Sequence, residues 1–146
     1  FAHLRRRGLE KALAEAGLHL PHAAVCSVPM IDAGAAEAAA HQLLASDERP
    51  TAVFGVTDTQ AIAVLKAAAA RSLPVPSELS VIGFDDLPIA AYAQPALTTF
   101  DQHARESAAT IAGMVTDMLD KGPASVASRL IQPEFAARAS HGAAPR

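Results

Sequence analysis

Apolar residues recur along this chain with two different periods. Leu9, Ala12, Leu13 and Ala16 stand at i, i+3, i+4 and i+7, which predicts an amphipathic helix, and Gly17 supplies its stop. A second helical stripe runs through Ala36, Ala39, Ala40, Leu43 and Leu44, after a loop at 32–34. A third helix opens at "TDTQ". Thr57 and Gln60 have capping-box spacing, Asp58 adds a charge suited to a helix N-terminus, and Ile62, Leu65 and Ala69 share a stripe. A long fourth helix is predicted over 103–121, with Ile111, Met114, Val115 and Met118 on one side and Gly122-Pro123 as its end.

Between these stripes lie continuous apolar runs too short for helices: "AAVCSV" (23–28), "TAVFGV" (51–56) and "LSVIGF" (79–84). They read as buried strands. "LTTF" (97–100) is a shorter one, and "SRLI" and "EFAA" are two further extended pieces before a polar, Gly- and Pro-containing tail. The prolines of "SLPVPSE" exclude that connector from a central strand. "DDLPIAAYAQP" reads as a long loop with one helical turn at 89–92. Helix and strand alternate three times in the first hundred residues. The predicted fold class is α/β, an open parallel sheet flanked by helices on both faces.

Composition narrows this picture. The 146 residues suffice for one modest domain with its own core, and 51% are hydrophobic. Much of that fraction is alanine, so the core is expected to be built from small helical side chains. Net charge is −3, Trp is absent and aromatics make up 4%, so this chain lacks the positive field and stacking surfaces of a nucleic-acid binder. Its compact basic cluster, Arg5-Arg6-Arg7, reads as a solvated helix face when taken alone. Cys26, a single cysteine, excludes an internal disulfide and reads as a small buried hydrophobe. No run of 18 apolar residues exists for a membrane span. The chain begins without Met, inside a predicted helix, and is expected to be a piece of a longer protein.

Candidate chemistry follows from topology. Open parallel sheets bind ligands outside the carboxyl ends of their strands. That rule selects residues 27–32, Thr57 with Asp58, Asp85 with Asp86, and Gln102. The edge so formed is polar and acidic and has no Gly-rich phosphate loop. It suits hydroxyl-bearing ligands, because a carboxylate accepts charge-assisted hydrogen bonds from vicinal hydroxyls. Simpler roles compete with this one. Thr57 and Asp58 can be helix caps, Asp86 before Leu87-Pro88 can stabilise a turn, and Gln102 can simply precede the last helix.

Residues 49–102 resemble the effector-binding core of LacI/GalR-type bacterial transcriptional regulators. The resemblance rests on "RPTAVF", an Asp opening a helix with Ala three residues on, "VPSELSVIGFDD", "PALTTFDQ" and the closing "PEFAARAS". "RRRGLEKALAEAGL" is similar to the helix that opens the second half of that unit. The resemblance implies a type I periplasmic-binding-protein-like fold, of which this chain is one lobe plus a crossover helix. Residues 1–100 would form the C-terminal lobe, 101–127 a crossover and helix packing on an N-terminal lobe, and 128–146 closing strands and a flexible tail. It also implies ligand binding by Arg5, Asp85 and Gln102, with Thr57 where many sugar-binding members have Asn. Asp86 would fix the loop, and Met30-Ile31-Asp32 supplies no aromatic where some members stack a ring. Ile62 and Tyr92 match a dimer surface.

The implied protein is a cytoplasmic homodimer that binds a small-molecule effector, a sugar or nucleobase, in an interlobe cleft. It would bind operator DNA only through a helix-turn-helix outside this chain, with no cofactor, metal or membrane partner. The alternative is a periplasmic sugar-binding protein of a transport system, which has the same fold and cleft. An enzyme is disfavoured. The six histidines are scattered, no nucleophile elbow is present, and adjacent Asp85 and Asp86 on an extended tip point opposite ways.

Overall fold

The structure, a computed structural model, describes residues 1–29 and 32–145. Its helices are α1 (Ala2–Glu15), α2 (Ala33–Leu44), α3 (Asp58–Ala70) and α4 (Ala104–Lys121). Its strands are β1 (Ala52–Phe54), β2 (Ser80–Ile82), β3 (Thr99–Asp101) and β4 (Glu134–Ala136). Strands β1 and β2 pair in parallel, and a parallel bridge from Ile82 to Thr98 carries the sheet on to β3. Strand β4 pairs antiparallel to β3, setting Phe135 opposite Phe100.

The local chemistry of each element is visible. Helix α1 ends as Gly17 takes φ 72°, the Leu18 N–H donates to the Leu13 carbonyl (2.8 Å) and the Gly17 N–H to Ala14 (3.0 Å). That pair is the Schellman arrangement, which satisfies carbonyls the helix would leave open. Asp32 caps α2 by accepting from the Ala35 N–H at 2.8 Å. Thr57 caps α3 by accepting from the Gln60 N–H at 3.4 Å. The core lies between the sheet and α2 and α3. Leu79, Val81 and Leu97 meet Ala61, Val64, Leu65, Ala67 and Ala68 of α3, and Ala40 and Leu44 of α2. Small side chains let the two helices lie close together, as the alanine-rich composition predicts. Helix α3 is buried on more than a stripe: Ala69 is exposed, while Ala63 and Ala67 are buried. A Cβ on Gly55 would stand 2.6 Å from the Ala61 backbone nitrogen, so that position admits glycine alone.

Side chains alternate across a strand. Val53 and Val81 therefore face α3, and Phe54 and Ile82 face the other side, where Leu9 and Arg5 of α1 stand over them.

Four expectations are corrected. "AAVCSV" is not a strand: residues 22–24 form a 3-10 turn, and 25–28 join no ladder. Prolines at 21 and 29 bound the run, and local bonds from Ala24 to Pro21 and from Val25 to His22 take N–H groups that a ladder would need. A cavity of about 660 Å³ separates this segment from β1, whose other edge pairs with no strand among the described residues, and Cys26 is exposed rather than buried. The opening order is consequently two helices before the first strand. "SRLI" also joins no ladder. The tail expected to be flexible is tied into the sheet at residues 138–142. There the Val81 N–H donates to the Ser140 carbonyl at 2.7 Å, the Ser140 hydroxyl donates to the Val81 carbonyl, and the Thr98 N–H donates to Ser140 Oγ at 2.8 Å.

Candidate functional site

Strand β2 and the edge beyond it end in a turn that reverses sharply. Asp85 has φ 127° and Asp86 φ 51°, both in the region disfavoured for residues other than glycine. Asp tolerates such backbone better than most side chains. The turn is held from three directions. The Asp85 N–H donates to the Phe100 carbonyl at 3.0 Å. Asp86 takes the Arg138 guanidinium at 2.6 Å, and Arg138 also donates to the Leu97 carbonyl at 2.8 Å. Asp58, fully buried, accepts from the Leu87 N–H at 2.7 Å and from the Thr99 hydroxyl. Asp58 therefore does not cap α3. It points into the fold and fastens the turn to β3.

Held in this way, Asp85 and Asp86 send their carboxylates to different partners. Asp86 serves the loop. Asp85 Oδ1 accepts from Gln102 Nε2 at 2.9 Å and meets Arg5 Nη2 at 3.5 Å. Three residues separated by as many as 97 positions thus converge at the carboxyl ends of β2 and β3. Arg5 is fixed further. Its Nη1 donates to the Val56 carbonyl, and its guanidinium carbon lies 3.7 Å from the centre of the Phe84 ring. A cation over a ring face gains about 0.5–1 kcal/mol when exposed and about 2 kcal/mol when desolvated, so Arg5 stands ready-oriented. Gln102 is placed by the chain leaving β3: the Asp101 carboxylate accepts from the His103 N–H at 2.7 Å, and His103 turns left-handed (φ 50°) before α4 begins. Thr57 lies at the end of β1, buried, with its hydroxyl on the Gln60 N–H.

The electrostatics of Asp85 suit a site awaiting donors. Burial pushes its carboxyl above the ordinary range, and the nearby Asp58 pushes in the same direction. The Arg5 charge and hydrogen bond pull it down without cancelling that effect. Among the described residues its hydrogen bonds fall on Oδ1. Oδ2 remains an acceptor for hydroxyl or N–H groups.

Beside this polar corner lies a pocket of about 320 Å³ bounded by Arg5, Leu9, Phe54, Ile82, Phe84 and Phe100. Phe84 and Phe100 stack with centroids 5.6 Å apart. The sequence reading missed this aromatic wall, the inward turn of Asp58 and the anchoring role of Arg138. The period-two placing of Phe54, Ile82, Phe84 and Phe100 on the face away from α3 was the available signal for the wall. Met30 and Ile31 lie outside the described residues. Ile62 is half-buried against the core, whereas Tyr92 is 81% exposed beside the exposed Leu87 and Ile89.

Comparison with known proteins places the fold in a family. Residues 1–141 match the family model of the periplasmic binding protein-like domain. An HTH-type transcriptional repressor PurR of Photobacterium profundum is 37% identical over 101 residues, 69% of this chain and 30% of that protein. The HTH-type transcriptional regulator GalS of Salmonella typhimurium is 36% identical over 122 residues, 83% of this chain and 34% of that protein. The chain thus spans about a third of these curated relatives. A solved regulator of the LacI family from Sanguibacter keddieii superposes with a TM-score of 0.86 at 28% identity, covering 97% of this chain and 54% of that one. These relatives are transcriptional regulators, and among the described residues no helix is long and apolar enough to cross a membrane. The chain belongs to the periplasmic binding protein-like domain family, as part of a LacI/GalR-type effector-binding region.

Proposed function

We propose that this chain forms most of one effector-binding lobe of a cytoplasmic, dimeric transcriptional regulator. A small hydroxyl-bearing effector, a sugar or nucleoside, binds at the strand ends and alters operator binding by a helix-turn-helix elsewhere in the protein. The convergence of Arg5, Asp85 and Gln102 on one crevice carries this reading. Arg5 and Gln102 orient Asp85, and Asp85 accepts ligand hydroxyls. The relatives are named as repressors and regulators, which favours this reading over a periplasmic transport protein. The regulator names of the relatives favour this role over an enzymatic one. A thermal-shift screen of sugars, nucleosides and sugar phosphates against the full-length protein tests the proposal. Specific binding at a hundredfold excess over Kd stabilises by about 2.7 kcal/mol. No shift with any of the three classes would exclude it.

Binding should depend on pH through Asp85. Its carboxyl is raised in the free protein, and hydroxyl donors favour the ionised form. Ligand binding therefore lowers its pKa, and affinity is fully present above the raised value and lost as pH falls through it. Titration calorimetry from about pH 7 to about pH 4 should give a flat Kd that then weakens, beginning at a higher pH than an ordinary carboxylate would show. A Kd constant across the range would remove Asp85 from the contact.

Helix α4 is proposed to pack on the companion lobe, with residues 101–127 crossing between the two. It has no buried residue, and Ile111 and Leu119 are 60% and 82% exposed. Tyr92 and the Ile62 helix are proposed as dimer surface. The 146-residue chain by itself should then self-associate through these faces. A monodisperse monomer at high concentration in size-exclusion chromatography would count against both assignments.

A further inference from the structure

Residues remote in sequence hold the turn that carries Asp85. Asp85 at φ 127° and Asp86 at φ 51° both lie where residues other than glycine rarely settle. Such backbone persists only where surrounding contacts over-determine it. The direction of the Asp85 carboxylate follows from that backbone, so whatever holds the turn also aims the carboxylate.

Main-chain bonds fix the two sides of the turn. The Asp85 N–H donates to the Phe100 carbonyl at 3.0 Å, and the Leu87 N–H donates to Asp58 at 2.7 Å. Asp86, between them, has a weaker main-chain tie, its N–H standing 3.5 Å from the Thr99 hydroxyl. Its firm tie is the side chain, which accepts from Arg138 Nη2 at 2.6 Å. The two side chains are 23% and 25% exposed, so water screens the pair only in part. Arg138 is itself fixed at two points just before β3. Its Nη1 donates to the Leu97 carbonyl at 2.8 Å, and its N–H donates to Thr98 Oγ1 at 2.9 Å.

The Asp85 carboxylate takes its hydrogen bonds from Arg5 and Gln102, so Arg138 acts on it only through Asp86. Arg138 stands two residues beyond β4, and β4 pairs with β3, which runs into Gln102. One two-stranded ribbon therefore supplies two supports of Asp85, Gln102 directly and Arg138 by way of Asp86.

Resting on the proposed function, we infer that Arg138 is a positioning residue for effector recognition: by holding Asp86 it keeps the 85–86 turn in its left-handed form and aims the Asp85 carboxylate into the crevice. Without that hold the turn relaxes toward ordinary backbone. Asp85 then faces the effector in only a fraction of molecules, and apparent affinity falls by that fraction.

The test is calorimetric titration of the full-length protein. The probes are D-glucose, D-galactose, D-ribose, adenosine and guanosine, with any further hit of the thermal-shift screen. For a probe that binds, Arg138→Met should weaken Kd by about tenfold. Asp86→Asn, whose side chain tolerates left-handed backbone, should weaken it similarly and keeps the test open if Arg138→Met does not fold. The double variant should be no weaker than either single one, because both remove the same hold. Arg138→Lys should return Kd to within about threefold of the parent, since an ammonium still pairs with Asp86. Ser140→Ala loosens the same tail away from the turn. It should lower the melting temperature and leave Kd within about twofold.

Unchanged Kd in Arg138→Met and Asp86→Asn overturns this inference and leaves the proposed function standing. So do additive losses in the double variant, a loss that lysine does not recover, or an equal loss in Ser140→Ala. Failure of every probe, together with a silent screen, overturns both.

Discussion

Asp58→Ala should cost about 2–4 kcal/mol of unfolding free energy, measured as a lowered urea midpoint. Asp58 is fully buried, and it receives the Leu87 N–H and the Thr99 hydroxyl. Alanine deletes two charge-assisted hydrogen bonds and leaves the buried Thr99 hydroxyl and the part-buried Leu87 N–H without this acceptor, at a cost of up to about 1–3 kcal/mol each. Relief of the carboxylate's own burial and of its repulsion with Asp85 offsets part of that loss. For a domain with a total stability of roughly 5–15 kcal/mol, the remainder is a large share. Asp58→Asn should fall in between, since its amide accepts from one partner but presents N–H to the other. A change under about 0.5 kcal/mol for alanine would mean that the 85–87 turn is held by other contacts.

Asp85→Ala should show the opposite division. Effector affinity should fall by at least about a hundredfold, the loss of two hydroxyl bonds to a charged acceptor at about 1.5–3 kcal/mol each. The melting temperature of the unliganded protein should hold or rise. Burial raises the Asp85 carboxyl, so its ionised form weakens the fold at neutral pH. The stability it lends is present only below the ordinary carboxylate range and is gone once pH has risen past the raised value. Calorimetry and thermal melts on one preparation separate the two quantities. Retained affinity would place the effector elsewhere, and a large drop in melting temperature would make Asp85 a structural residue.

The contrast between these two acids explains what the sequence could convey. Capping at Thr57 and the stop at Gly17 are local events, decided by residues within one turn, and both follow from spacing alone. The strands at 52–54 and 80–82 announce themselves by unbroken apolar runs. "AAVCSV" carries the same signal, yet it is neither a strand nor buried, because the flanking prolines and the local bonds from Ala24 to Pro21 and Val25 to His22 take its backbone out of a ladder. Asp58 reads as a cap beside Thr57; its actual partners lie 29 and 41 residues away. Arg138 and Ser140 look like tail, since nothing near them in sequence shows that Asp86, Val81 and Thr98 need partners. Arg5, Asp85 and Gln102 were legible through two arguments of different kinds, the strand-end rule for the last two and family resemblance for all three. The phenyl wall was not, since a phenylalanine in a strand reads as ordinary core until one sees which face is sparsely covered.

The seat of Ser140 between β2 and Thr98 has a bearing on how the protein emerges from the ribosome. Val81 waits for a residue synthesised 59 positions later. Until that serine arrives, the nascent sheet has an open seam beside the fully buried Val81, with an N–H, a carbonyl and the Thr98 N–H all unmatched. The lobe can collapse early around its alanines, but it cannot become watertight until translation has passed residue 140.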